Sequence, residues 1–338
     1  MVRDFVSELE SLTEHHKENC DLYRHYIGSL FKQDCEFTSL EQLPWLPVRA
    51  FKQFDLMSIS QEQVFKTMHS SGTGGVQSRI FLDQQTAKLQ QSKLIEVFQS
   101  EFGKERFPML VIDSEATVKN RKMFSARTAG INGFSIFSRG REFALNENLE
   151  IDIERIGKFL EKHSGKRIFI FGFTFVVWEK FIERIEQLNL KLDLSNAFLL
   201  HGGGWKKLES KKVSPEEFRR RVKEITGCES VHNYYGMIEQ TGSIYMECKN
   251  GNLHAPTGAD VIIRRRSDFN PAGYNEEGII QLFSNIQRSY PGHSLLTEDI
   301  GYTLPAGKCS CDNTGTILKV IGRLAKAEVR GCSDAVHR

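Results

Sequence analysis

The segment HSSGTGGVQSR, residues 69–79, has the composition of an anion-binding loop. Gly72, Gly74 and Gly75 leave backbone N–H groups free to converge on a phosphate. Ser70, Ser71 and Thr73 add hydroxyls, and the Arg79 guanidinium can pair with a phosphate oxygen. The spacing is not G-x-x-x-x-G-K-[ST], which excludes a Walker-type loop. A plain surface loop is the alternative for this segment taken alone. Further along, HGGGW (201–205) follows the apolar run AFLL, where open α/β sheets place their ligands. Gly202, Gly203 and Gly204 would let a ligand approach the main chain, and His201 could either orient a carboxylate or close the strand. In NYYGMIEQTG (233–242), Tyr235 with Gly236 is suited to an aromatic base, and Glu239 to a magnesium ion that keeps several waters. TEDIG (297–301) reads as a turn with two carboxylates, of which Asp299 could accept both hydroxyls of a ribose. VIGR (320–323) adds Arg323.

Two groups of cysteines carry different chemistry. Cys248 and His254 lie in YMECKNGNLH, and Cys309 and Cys311 in GKCSCDN. Three thiols and one imidazole would close a tetrahedral zinc site with no open position, a structural one. Buried reduced cysteines are the alternative. Cys332, in VRGCSDAVHR, could serve as an acyl acceptor: its thiolate can attack an activated acyl group, and Arg330 could favour the thiolate. Cys20, Cys35 and Cys228 read as packing residues.

These residues need a scaffold, and the hydrophobic pattern supplies one. The expected organisation is a helical entry region (1–66), an α/β core (67–250), and a smaller β-rich lobe with the tail (251–338). Leu94, Val97, Phe98 and Phe102 mark a helix near 86–101, and Ile153, Ile156, Phe159 and Leu160 another over 152–163. Trp178, Phe181, Ile182 and Ile185 mark a third. Ser214, Pro215, Glu217 and Gly227 bracket a helix with start and stop signals. PMLVID, RIFIFGF, AFLL and SVHNYYG are strands between them, which predicts a doubly wound, mostly parallel sheet. VIIR, GIIQLFS and TILKVIG are the strands of the lobe.

Of the 338 residues, 40% are hydrophobic and 26% charged, and 45 Lys+Arg against 43 Asp+Glu leave a formal charge of +2. That balance gives no reason to expect a nucleic-acid or membrane-surface partner. The longest apolar run, residues 168–178, is too short to span a bilayer. The N-terminus lacks the apolar stretch of a signal peptide. A cytoplasmic protein with reduced cysteines is therefore expected.

SSGTGGVQSR, YGMIE, TEDIG and IGR, in that order, resemble the core motifs of the acyl-adenylate-forming enzymes. LPWLPVRAFKQFDL (43–56), SYPGHSLLTEDIG (289–301) and AEVRGCSD (327–334) are similar to the acyl-protein synthetases of bacterial bioluminescence, which belong to the fatty-acid reductase complex. The resemblance runs from about residue 40 to the end. It implies the fold of the adenylate-forming N-terminal domain, and ATP with magnesium as cofactors. It also implies a long-chain fatty acid as substrate and an acyl reductase-like protein as acceptor. Carried over by position, Ser70–Gly75 and Arg79 hold the phosphates, and Tyr235 lies against adenine beside Gly202–Gly204. Glu239 binds magnesium, Asp299 the ribose, and Arg323 the ribose or α-phosphate. Cys332 matches the cysteine that carries the acyl group. Relatives of the phenylacetate-CoA ligase type have a similar Cys, His and Cys-x-Cys arrangement.

The sequence departs from the superfamily pattern at Gly74, at Arg79, and at Lys326, which stands where an aspartate is usual. The mobile C-terminal domain and its lysine are not expected to fit in the residues after Arg323, so Lys326, Arg330 or a partner subunit would supply that cation. Two other readings stay open: an acyl- or aryl-CoA ligase, and a non-catalytic adenylate-binding subunit.

Overall fold

The strands follow one another as β1 (Leu46–Pro47), β2 (Lys66–His69), β3 (Arg79–Leu82), β4 (Phe107–Ser114), β5 (Ser138–Leu145), β6 (Ile168–Phe173) and β7 (Ala197–Gly202). After these come β8 (Ser230–Tyr235), β9 (Tyr245–Glu247), β10 (Leu253–His254), β11 (Ala259–Arg264), β12 (Gly278–Ser284), β13 (Ser294–Leu304) and β14 (Ile317–Arg323). The longer helices are α1 (Val2–Asn19), α2 (Asp21–Leu30), α3 (Gln84–Phe102), α4 (Ala126–Phe134), α5 (Ile153–Lys162) and α6 (Pro215–Thr226). The structure, a computed structural model, describes residues 2–31, 36–70, 77–119, 126–205 and 211–324.

The described residues group into two units, residues 2–70, 77–101 and 236–324 in the first and 102–235 in the second. This differs from the expected segments 1–66, 67–250 and 251–338. The N-terminal helices belong with the β-rich part, because that part needs them to cover its sheet. Val6, Leu9 and Leu12 of α1 pack with Leu40, Leu43 and Phe283 of β12. Tyr23 and Ile27 of α2 pack with Leu46, Phe51 and Leu295 of β13. The sheet of this unit runs β11-β12-β13-β14-β10-β9, with β1 parallel to the start of β13 and every other pair whose register is resolved antiparallel. β2 and β3 form a separate antiparallel hairpin.

β13 was not expected as a strand. TEDIG lies inside it rather than on a turn. The polar run Thr297–Asp299 interrupts the apolar pattern and falls where the register with β12 shifts; the main chain stays extended because pairing with β14 begins at Asp299 and pairing with β12 resumes at Ile300.

In the second unit the sheet runs β5-β4-β6-β7-β8, and each neighbouring pair is parallel. Every residue of β4, β6 and β7 is buried, the pattern of strands covered on both faces. β7 continues past AFLL through His201 and Gly202. α6 has the expected caps: the Ser214 hydroxyl accepts from the Glu217 N–H, and Gly227 closes the helix at φ +74°. The helical stretch after β6 contains a π turn, Val177–Ile182, which leaves Val177, Trp178, Phe181 and Ile182 all buried. Ile153, expected on the apolar face of α5, is exposed because it opens the helix directly after the Asp152 cap.

α1 is also held by buried histidines. His16 shares hydrogen bonds with the Ser58 hydroxyl at 2.7 Å and the Gln287 carbonyl at 2.9 Å. Its ring stacks on His293 at 4.9 Å, and His293 Nε2 lies 2.9 Å from the Thr13 hydroxyl. Burial lowers both pKa values, His293 to about 3; the neighbouring His15 lowers both further, and His293 and Arg288 add to the effect on His16. Both rings are neutral in the fold and gain protons readily once unfolded, so stability falls as pH drops below about 6.5, towards the folded value of His293. By pH 5, His293 alone is expected to cost about 2 kcal/mol. Urea midpoints measured from pH 7 to pH 5 should fall less steeply in the double variant His16→Gln/His293→Gln than in the wild type.

Candidate active site

In the first unit the hairpin β2–β3 carries the Ser/Gly loop, and the base of that loop is clasped. The Ser70 N–H donates to the Ser78 carbonyl at 3.0 Å, and the Ser78 N–H to the Ser70 hydroxyl at 2.8 Å. The Ser78 hydroxyl donates to Glu239 Oε1 at 2.7 Å. The two motifs thus meet through a serine that motif spacing does not single out. Ser71, Gly72, Thr73, Gly74 and Gly75 lie outside the described residues. Arg79, at the start of β3, pairs with Asp55 at 2.6 Å and stays half exposed. Glu239 is fully enclosed. A magnesium ion needs several oxygen ligands, waters among them. In this conformation the Glu239 side chain is closed to solvent and so to such waters. Gly236 lies against Ile244.

The carboxylates of TEDIG face arginines. Asp299 stands opposite Arg323 in the β13–β14 ladder, with 3.2 Å between the Arg323 Nε and the carboxylate. Glu298 accepts from Arg323 at 3.1 Å and from Arg49 at 2.8 Å. The meeting follows from the strand layout. β1 pairs with Leu295 and Leu296, then the Val48 N–H donates to the Leu296 carbonyl, and Arg49 comes next. β14 takes over the ladder at Asp299 and ends where the Leu324 N–H donates to the Glu298 carbonyl. Sequence reasoning missed Arg49 and Glu298 as members of this cluster. The signal available was the stretch 43–56, in which Arg49 sits.

The same unit brings Cys248, His254, Cys309 and Cys311 together, their ligand atoms all within 4.8 Å of one another. Cys248 Sγ and Cys309 Sγ are 3.7 Å apart, far beyond a disulfide bond of about 2.05 Å. Tetrahedral zinc with Zn–S bonds of about 2.3 Å would set two sulfurs about 3.8 Å apart, so the donors fit. Cys311 Sγ lies 3.2 Å from His254 Nε2. His254 Nδ1 lies 3.1 Å from the Gly315 carbonyl, which fixes the tautomer and leaves Nε2 facing the thiols. The Asn252 and Asn250 side-chain amides donate to Cys309 Sγ at 3.2 and 3.5 Å. A Cβ at Gly315 would come within 2.0 Å of the Ala255 carbonyl oxygen, so no other residue lets these segments approach.

In the second unit β7 ends in the glycine turn. Gly203 and Gly204 take φ of +82° and +66°, a conformation glycine adopts without strain. A Cβ at Gly203 would strike the Phe173 ring at 2.6 Å, whereas Gly204 opens to free space. Gly202 lies flat against Tyr234. His201 lies within the core, stacked on Phe218 at 4.3 Å, with its Nδ1 2.9 Å from the Thr174 hydroxyl. Burial pushes its pKa down to about 3, with Arg219 and His232 adding to the effect. The Thr174 hydroxyl also donates to the Gly202 carbonyl at 3.1 Å. His201 and Gly202 thus share the Thr174 hydroxyl, a placement that suits the strand-closing reading of His201. Tyr235 is half-buried at the end of β8. Lys326, Arg330, Cys35 and Cys332 lie outside the described residues.

Among known proteins, a sequence model described as "Acyl-protein synthetase, LuxE" matches residues 3–338. The long-chain-fatty-acid–luciferin-component ligase of Vibrio harveyi is 22% identical over 97% of this chain and 88% of its own length. The Aliivibrio fischeri protein of that name is 20% identical over 96% and 85%. An open conformation of 2-hydroxyisobutyryl-CoA ligase, solved with an acyl-AMP and CoA, superposes with a TM-score of 0.71 at 11% identity, covering 96% of this chain and 70% of that one. ATP-bound MatB from Rhodopseudomonas palustris gives 0.50 at 12% identity, over 79% and 49%. The fold is thus the α/β fold of adenylate-forming ligases, with its mixed strands, and among the described residues no helix is long and apolar enough to cross a membrane. With its model spanning the motif-bearing residues from end to end, the chain belongs to the LuxE acyl-protein synthetase family of ATP-dependent ligases.

Proposed function

We propose that this protein activates a long-chain fatty acid with ATP and passes the acyl group through its own Cys332 to an acceptor protein of the acyl reductase kind. In the first step a carboxylate oxygen attacks the α-phosphorus, forming the acyl-adenylate and releasing pyrophosphate. In the second the Cys332 thiolate attacks the acyl carbon, forming a thioester and releasing AMP. The acceptor then displaces Cys332. The cytoplasm is the compartment that suits free thiols.

The observation that carries the reading is the Arg49–Glu298–Arg323–Asp299 cluster at the junction of β1, β13 and β14. It joins one of the family-specific stretches to two of the nucleotide motifs. We assign Asp299 to the ribose hydroxyls and Arg323 to the ribose or the α-phosphate, where a fixed cation lowers the cost of charge developing in phosphoryl transfer. Ser70–Gly75 and Arg79 are assigned to the phosphates. For Arg79 this requires exchanging the exposed Asp55 for the ligand, an inexpensive change for a surface pair. Gly202–Gly204, Tyr235 and Gly236 are assigned to the adenine. Cys248, His254, Cys309 and Cys311 would hold a structural zinc. When bound, it would cross-link the turn after β9 to the segment before β14; the closed donor set leaves it no substrate position.

Asp299→Asn should lower kcat/KM for ATP in fatty-acid-dependent ATP–pyrophosphate exchange by at least about tenfold, equivalent to about 1.4 kcal/mol. Cys332→Ser should keep that exchange and lose the hydroxylamine-labile label left by radioactive fatty acid and ATP. Label that persists in the variant removes Cys332 from the pathway, and exchange with no carboxylate at all removes the enzyme reading. Metal analysis of the purified protein should find close to one zinc per chain. Cys311→Ser should lower both the zinc content and the thermal midpoint, and well under one zinc in the wild type would reject the site.

A further inference from the structure

The second unit contains a charged cleft lined by none of the motif residues discussed above. It lies between the edge strand β5 and helix α5 and has a volume of about 520 Å³, the size range of small-ligand sites. Its lining is not apolar. Arg139 and Arg141 come from the strand, Arg155, Lys158 and Lys162 from the helix, and His163 from the helix end. On α5 the three cations recur at i, i+3 and i+7, so they form one face, while Ile156 and Phe159 bury the other.

The acids in the cleft do not cancel this charge. Glu154 pairs with Lys158 at 2.5 Å, and Asp152 and Glu142 both go to Arg155, at 3.3 and 3.8 Å. Arg141 binds the neutral oxygens of Asn132 and Ser135. Among the described residues Arg139 and Lys162 have no acidic partner. His163 Nδ1 is shielded from solvent without a hydrogen-bond partner, its ring 4.8 Å from that of Phe159.

The strand is built to present this face. Between the register pairs Phe107–Ser138 and Met109–Arg141, β5 advances three residues while β4 advances two. The extra residue forms a bulge at Arg139–Gly140, and Gly140 takes φ +92° with nothing within 4 Å of a Cβ. Bulges of this kind re-aim the side chains beside them, here the two arginines. A glycine bulge on an edge strand, two cations without acidic partners among the described residues and a cleft of small-ligand volume favour a compact anion over an extended polymer.

We propose that this cleft binds a small phosphate-bearing molecule of nucleotide size, separately from the adenylating motifs. Arginine forks and lysine ammonium groups are the side chains that recognise phosphate esters, and the free cations lie at both walls of the cleft. The test is isothermal titration of the full chain with adenosine 3′,5′-bisphosphate, beside the double variant Arg139→Glu/Lys162→Glu. Both residues are exposed, so the variant should fold with an unchanged thermal midpoint and unchanged ATP–pyrophosphate exchange. The wild type should bind, and the variant at least about tenfold more weakly. Raising the salt concentration should weaken the wild type and narrow the gap. The same isotherm in both proteins, or no heat up to millimolar bisphosphate, would overturn the proposal. Binding of a polyglutamate peptide in place of the bisphosphate would also overturn it, giving the face to an acidic protein partner.

Discussion

The first unit depends on one strand having two successive neighbours. β13 pairs with β1 along Leu295 and Leu296 and with β14 from Asp299 onward, while β12 runs along its other side. Where one neighbour stops and the next begins, the side chains of Glu298 and Asp299 are the charged groups at hand, and the arriving segments each bring a guanidinium. The carboxylates are largely enclosed, so each gains from a charged donor what it loses in hydration. Segments from both ends of the sequence are thereby brought to one place. The ends of β1 and β14 could not be parted without leaving Glu298 enclosed beside a missing partner.

The second unit meets a different constraint. Its central strands are buried on both faces, so each ligand-facing group must come from the carboxyl ends of strands or from the outer edge. At the end of β7 that produces a turn in which Gly202 and Gly203 lie against aromatic rings while Gly204 faces open space. Thr174 and His201 hold the turn from beneath, with the imidazole kept neutral by the hydrophobic wall of Phe218. At the outer edge the sheet instead ends in a bulged strand, whose exposed first part, Arg139 to Arg141, leaves its side chains free to be charged while Phe143, Ala144 and Leu145 join the core.

Local features were legible in the sequence where chemistry is local. The caps of α6, the apolar strands β4 and β6, and the gathering of Cys248, His254, Cys309 and Cys311 could be read from residue types and spacing. β13 could not, because its middle is polar and its extended form is imposed by neighbours distant in sequence. The grouping of α1 and α2 with the β-rich part was hidden for the same reason: amphipathic helices announce that they need a partner, not which one. Ser78 and Glu298 lie beside motif residues and join them, a role visible after folding has set the distances. For His201 the sequence left two readings, and its enclosure by Phe218 and Thr174 is a feature of the fold that no local pattern announces.

The division of the chain also bears on how it is made. The described residues of the second unit all fall within 102–235, so its parallel sheet can form as soon as that stretch has left the ribosome. The first unit cannot. Leu9 and Tyr23 are separated by more than 250 residues from their packing partners Phe283 and Leu295. Contacts of such separation make folding slow and keep apolar surface waiting. Until β12 and β13 have been made, α1 and α2 have no sheet to cover, so it is these helices, rather than the aromatic core of the second unit, that would need protection from aggregation while the chain grows.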